Sequence, residues 1–197
     1  MTRCTWATKD LLIAYHDSEW GVPLHDDQQL FEFLILEGMQ AGLSWHTILQ
    51  KRLAFRLAFN NFEAKKISRY SPQKVTQLLH NADIIRNRLK ITAALSNAKS
   101  YLRIQKTFES FDQYIWQFVD GKPIQNHWTH HQKVPCRSTI SDAMSKDLKQ
   151  RGFSFVGSTI CYAFMQAIGM VNDHTTDCFR FSQLQPHHAP DTPDSKP

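Results

Sequence analysis

An all-α fold is predicted by three features of the sequence. The 197 residues carry only 7 glycines and 8 prolines, and four of those prolines fall in the last twelve positions, so the body lacks the turn residues that many short strands demand. Between residues 26 and 170 the apolar positions recur at helical spacing, as in Ile84, Ile91, Leu95, Ala98 and Leu102. Apolar residues make up 42% of the chain and charged residues 21%, a composition that suits a globular core and excludes a disordered chain or a membrane protein.

The elements follow in order. Near the N-terminus, Tyr15-His16-Asp17-Ser18-Glu19-Trp20-Gly21 mixes rings and acids without helical or strand period, and reads as a loop of the kind that lines sites. Helices are expected over 26–40, with Asp26 as N-cap, then 44–58, then 71–80 with Ser71 as N-cap. The Ile84 to Leu102 stripe belongs to a helix over 83–105, followed by helices over 107–120, 141–151 with Ser141 as N-cap, and 158–169. Residues 121–135, with His127, His130 and His131, read as a solvated loop. From about Gln183 the Pro-rich tail cannot pack, so residues 1–182 are expected to form one helical domain of two packed lobes and 183–197 a disordered tail.

Charge and cysteine usage narrow the function classes. A net charge of +5 permits a polyanionic partner without requiring one. No apolar run approaches the roughly 18 residues of a spanning helix, and no signal-peptide pattern follows Met1, so a reducing cytoplasm is expected. Cysteines at 4, 136, 161 and 178 are too scattered for a disulfide framework, which leaves metal binding or burial.

Three constellations carry chemistry. The inward stripe Leu30, Phe33, Leu34 extends by one turn onto Glu37, which puts a carboxylate on the core face. Such an acid is either a structural ion-pair partner or a ligand-facing group, and Glu37-Gly38-Met39-Gln40-Ala41-Gly42-Leu43-Ser44-Trp45 adds two glycines and a large aromatic. An acid beside an aromatic wall suits a flat, electron-poor ring. Cys4 and His16 precede the first long helix while His174 and Cys178 follow the last, a candidate Cys₂His₂ zinc set, although ten histidines make one such pairing unremarkable. Finally, Gly152-Phe153-Ser154-Phe155-Val156-Gly157 joins two helices downstream of Lys146, Lys149 and Arg151. It fits either a phosphate-cradling turn at a helix N-terminus or an ordinary αα-hairpin plugged by Phe153 and Phe155.

Five motifs together resemble the 3-methyladenine-DNA glycosylase I family of the helix-hairpin-helix glycosylase superfamily. They are Arg3-Cys4-x-Trp6, Tyr15-His16-Asp17-x-Glu19-Trp20-Gly21-Val22-Pro23, Glu37-Gly38-x-Gln40-Ala41-Gly42-Leu43-Ser44-Trp45, Arg151-Gly152-Phe153-x-Phe155-Val156-Gly157 and Gly169-x-Val171-Asn172-Asp173-His174. The resemblance spans about residues 1–180. It implies a helix-hairpin-helix glycosylase-like fold whose termini are joined by a structural zinc on Cys4, His16, His174 and Cys178. It also implies a catalytic pocket of Glu37, Tyr15 and Trp45 with Trp6 and Trp20 near the substrate, and Gly42 and Leu43 filling the gap left by a flipped nucleotide. Residues Gly152, Phe153, Ser154, Phe155, Val156 and Gly157 would hold the DNA backbone.

The implied activity is excision of 3-methyladenine from alkylated double-stranded DNA by a monomer, leaving an abasic site. Relatives that also cut the strand carry a lysine just after the hairpin; Ser158, Thr159 and Ile160 stand there, which implies a monofunctional enzyme. Aligning the superfamily's Asp-x-His pattern on His174 puts Asn172 where many relatives carry a catalytic Asp, and Asp173 is expected behind the zinc ligands, so no general base is assigned. One departure is that Leu11-Leu12-Ile13 is a residue shorter than the family pattern and lacks an aromatic there. A zinc-stapled DNA-binding module without catalysis would leave Glu37 unexplained, and a small-molecule enzyme would leave the hairpin unexplained.

Overall fold

The computed structural model describes residues 1–185. Ten α-helices account for most of them: α1 Asp10–Ser18, α2 Asp27–Gln40, α3 Trp45–Ala58, α4 Ala64–Ile67, α5 Pro72–His80, α6 Arg88–Phe108, α7 Phe111–Trp116, α8 Thr139–Gln150, α9 Ser158–Ala167 and α10 Phe179–Gln183. The remaining regular structure is three short 3₁₀ turns, Asn60–Phe62, Gln117–Val119 and His131–Lys133, and a parallel pair of two-residue strands, β1 Ile124–Gln125 and β2 Val171–Asn172, with Ile124 opposite Val171. The all-α class holds, and no helix is long and apolar enough to cross a membrane among the described residues.

α2 is the centre of the packing, buried from Leu30 to Met39 and in contact with α3, α6, α7 and α9. Its caps follow the sequence: Asp26 accepts from the Gln29 amide, and Ser44 does the same for Thr47 at the start of α3. Asp27 reaches across to cap α7, accepting from the Phe111 and Asp112 amides at 2.9 and 2.7 Å. Lys90, buried on α6, donates to the Met39 and Ala41 carbonyls at 2.8 and 2.6 Å and so satisfies carbonyls at the C-terminal end of α2.

Several boundaries differ from expectation for local reasons. The segment 15–21 is not a loop: Tyr15 to Ser18 complete α1, and only Glu19 to Gly21 form a turn. The helix expected from residue 83 begins at Arg88, because Asn81 accepts from the Asp83 amide in a local turn and Asn87 provides the cap. The helix expected over 107–120 is interrupted at Glu109, whose φ is +67°, and restarts under a Ser110 cap as α7. Ser141 is not the N-cap of α8; Ser138 is, and Ser141 completes a capping box with it. The tail expected from Gln183 lies, from residue 186 onward, outside the described residues.

Candidate active site and metal centre

Tyr15 and His16 are adjacent on α1 and therefore point about 100° apart, one into a cavity and the other into a Cys/His cluster. Trp6 stands between them, its ring centroid 6.4 Å from Tyr15, 5.3 Å from His16 and 5.0 Å from Trp20. Cavity and cluster therefore share an aromatic wall.

The cavity encloses about 310 Å³. Trp6, Tyr15, Trp20, Glu37 and Trp45 all line it, with Leu12, Gln40, Ser44, His46, His131, Ala163 and Gln166. Tyr15 and Trp45 approach to 5.4 Å between centroids. The helical stripe of α2 does carry Glu37 inward: it is 4% exposed, and its carboxyl accepts or donates no hydrogen bond among the described residues. Burial alone pushes its pKa up to about 8. The same burial, with the charges of Glu37 and Glu19, holds the Tyr15 hydroxyl well above its ordinary value. The ion-pair alternative belongs instead to Glu32 on the same helix, held by Arg52 at 2.7 Å and Arg56 at 2.9 Å.

Past Glu37, α2 ends in a turn that requires Gly42, whose φ is +77° and which faces open space. Leu43 beside it is 41% exposed. Both border a second cavity of about 220 Å³, shared with Glu37, Gln40, Thr159, Ile160 and Ala163, so the aromatic pocket opens toward Leu43 and the start of α9.

The connection from Gly152 to Gly157 is firmly held. Gly152 stops α8 at φ +89°, and Asn97 on α6 makes reciprocal bonds to Ser154, accepting from its amide at 2.8 Å and donating to its carbonyl at 2.9 Å. The Ser145 hydroxyl donates to the Val156 carbonyl at 2.6 Å. Phe155 adopts φ +56° against Gly38, where a Cβ would lie 3.3 Å from that of Phe155. Of the two plugs expected for an αα-hairpin, Phe153 is buried and Phe155 only half-buried, while Val156 takes the second core position. The amides from Phe155 to Ile160 find no acceptor among the described residues, and they lie at the N-terminus of α9.

Cys4, His16, His174 and Cys178 come together with all four ligand atoms within 4.8 Å of one another, and all four residues are buried. The Sγ-to-nitrogen separations of 3.4 to 3.5 Å match the edge of a tetrahedron with zinc at its centre, roughly 3.5 Å for ordinary Zn–S and Zn–N lengths. The outer nitrogens are occupied as metal-bound imidazoles require: His16 Nδ1 meets Asp17 Oδ1 at 2.8 Å, and His174 Nε2 meets the Trp20 carbonyl at 3.2 Å. Burial lowers the His174 pKa to about 3, which keeps the imidazole neutral, and raises that of the Cys4 thiol to about 12, a proton that only a cation would displace readily. The donor set fits a structural metal.

The expectation for the neighbouring acids is corrected. Asp17, not Asp173, backs a ligand; Arg3 holds its other side and, with His16, keeps its pKa down at about 2. The Asp173 carboxylate instead accepts from Asn126, Trp128, Tyr162 and Gln166 at 2.7 to 2.8 Å. Asn172 ties β2 to Gln125 and to the Phe181 carbonyl. The stretch 121–135 is only partly the solvated loop expected: it carries β1 and the 3₁₀ turn His131–Lys133, Asn126 and Trp128 are tied to Asp173, and His131 borders the cavity. Leu12, His46, His131, Ala163 and Gln166 are the lining residues that the sequence did not single out; Ala163 and Gln166 share one face of α9, and a glutamine in that apolar helix was the available signal.

Comparison with known proteins places these features in a family. The methyladenine glycosylase family model matches residues 6–181. The chain is 48% identical to DNA-3-methyladenine glycosylase of Haemophilus influenzae over 178 residues, covering 90% of this chain and 96% of that protein. It is also 48% identical to DNA-3-methyladenine glycosylase 1 of Escherichia coli over 179 residues, with the same coverage. A structure of 3-methyladenine DNA glycosylase I from Staphylococcus aureus, solved to explain 3-methyladenine recognition, superimposes with a TM-score of 0.89 at 36% identity, covering 96% of this chain and 99% of that one.

Proposed function

The chain belongs to the methyladenine glycosylase family and is an enzyme of that class, and from this we propose that it hydrolyses the N-glycosyl bond of 3-methyladenine in alkylated double-stranded DNA, leaving an abasic site. The observation that carries the proposal is Glu37, a buried acid without a protein partner, in a cavity walled by Tyr15 and Trp45.

Adenine alkylated at N3 is cationic and leaves as a neutral purine, so its departure needs little protonation. The pocket supplies selection for that charge. Empty, it keeps Glu37 protonated near neutral pH, because burial has raised the pKa to about 8. A cationic ring entering between Tyr15 and Trp45 favours the carboxylate and pairs with it. Neutral adenine brings no charge to offset that of a desolvated carboxylate, and it stacks less favourably on electron-rich rings. Glu37 accepts hydrogen bonds from the N6 amine or the N7 side of the base, and water attacks C1′ of the deoxyribose.

The remaining residues deliver the nucleotide. Extrusion costs a few kcal/mol, offset as Gly42 and Leu43 fill the vacated stack and Trp6 and Trp20 complete the pocket. Gly152, Phe153, Ser154, Phe155, Val156 and Gly157 hold a phosphate through backbone amides, since the Phe153 and Val156 side chains are committed to the core. Cys4, His16, His174 and Cys178 would hold a zinc ion, which would tie the segments before α2 and after α9 together; four protein ligands would leave no position for substrate. Ser158, Thr159 and Ile160 offer no amine, so no Schiff base forms and the strand is left intact. The protein acts as a monomer built on one helical domain.

The test is incubation with methylated DNA followed by analysis of free bases and strands. The expected result is release of 3-methyladenine in preference to 7-methylguanine, with strand breaks only after alkali and no borohydride-trapped adduct. Folded, zinc-loaded protein that releases no base would make the chain a DNA-binding module.

A further inference from the structure

The cavity wall opposite α2 is one face of α9. Thr159 and Ile160 border the outer cavity, Ala163 borders both cavities, and Gln166, one turn further from the opening, borders only the inner one. Gln166 therefore lies where the edge of a flipped base, rather than its sugar, would sit.

Its amide has only one workable orientation. Gln166 Nε2 donates to Asp173 Oδ2 at 2.8 Å, and the Asp173 carboxylate, 2% exposed, is filled by four donors. A carboxylate that takes four donors accepts and does not give, so a flipped amide would set oxygen against oxygen. The Gln166 carbonyl is thereby fixed away from Asp173. It has no partner among the described residues and is not sealed from water, which leaves it open to the cavity.

We propose, building on the base-excision reading above, that Gln166 is a specificity-determining residue: its amide oxygen accepts one proton of the exocyclic amine of an adenine-type base while Glu37 accepts the other. An exocyclic amine has two N–H groups and, once desolvated, needs two acceptors. A 6-oxopurine presents an acceptor at the same position and meets a carbonyl that cannot turn. Asp173, which takes the Gln166 amide N–H directly, is the positioning residue that holds this carbonyl in place.

The experiment compares kcat/KM for release of 3-methyladenine and 3-methylguanine from methylated DNA by the wild type, Gln166→Met and Gln166→Leu. Trp128→Phe is the control, since it also removes one donor from Asp173 but leaves Gln166 bonded. The expected result is a preference for 3-methyladenine that falls about tenfold in both Gln166 variants and is retained in Trp128→Phe. Titration of folded protein with free 3-methyladenine and free 3-methylguanine, followed by tryptophan fluorescence, should show the same narrowing without catalysis. An unchanged preference in the Gln166 variants, or equal losses for both bases, overturns the inference alone. A wild type that releases neither base overturns the reading on which it rests.

Discussion

The Glu37 carboxyl ordinarily titrates near 4.5, and burial raises it to about 8. The unfolded chain therefore loses this proton at a lower pH than the folded one. Stability is fully present below pH 4.5, declines as pH rises, and levels off above about 8. Glu37→Gln removes the titration, so the difference in Tm, variant minus wild type, should widen between pH 5 and 8 and then stay constant. A difference that is flat across that range would contradict a desolvated acid. Glu37 was legible in the sequence because helical periodicity alone sets which face a residue occupies. Asp173 was not: its donors come from residues 126, 128, 162 and 166, and no pattern in the sequence says that a loop and a helix converge on one carboxylate.

Long, capped helices were the most legible elements, since Asp26 and Ser71 signal their own starts and α2, α3 and α5 follow within a residue of expectation. α1 was hidden because its two buried side chains serve different sites, Tyr15 the cavity and His16 the metal cluster, so it shows no single apolar stripe. The hairpin was visible as glycines flanking a short turn, but what braces it was not: Asn97 lies 57 residues away. Asn97→Ala should cost about 1–3 kcal/mol of stability, read by urea unfolding, because it leaves two Ser154 backbone groups unpaired. It should also weaken DNA binding while leaving the affinity for free 3-methyladenine unchanged. Equal losses in both would mean that the hairpin and the pocket are not separate binding elements.

For the molecule as a whole, the Cys/His cluster joins residues about 170 positions apart and shares Trp6 and Trp20 with the aromatic cavity. Sequence spacing alone leaves this cluster open, because a Cys-x₁₁-His pair matches no common finger; the family motifs at both ends select it, and the folded geometry fits. The purified protein should contain one zinc per chain, and a strong chelator should lower its Tm by several degrees and weaken binding of 3-methyladenine through the shared wall. Metal-free protein as stable as the isolated form would contradict the assignment.

The central claim is that a desolvated carboxyl between two aromatic rings selects a cationic base. It is tested most directly by single-turnover release of 3-methyladenine from methylated DNA by the wild type and Glu37→Gln, each checked to be folded and zinc-loaded. The expected result is rapid release by the wild type and a drop of about a hundredfold in the variant, the scale expected when one charge-assisted hydrogen bond is removed from a site closed to water. Release by Glu37→Gln at the wild-type rate would contradict it.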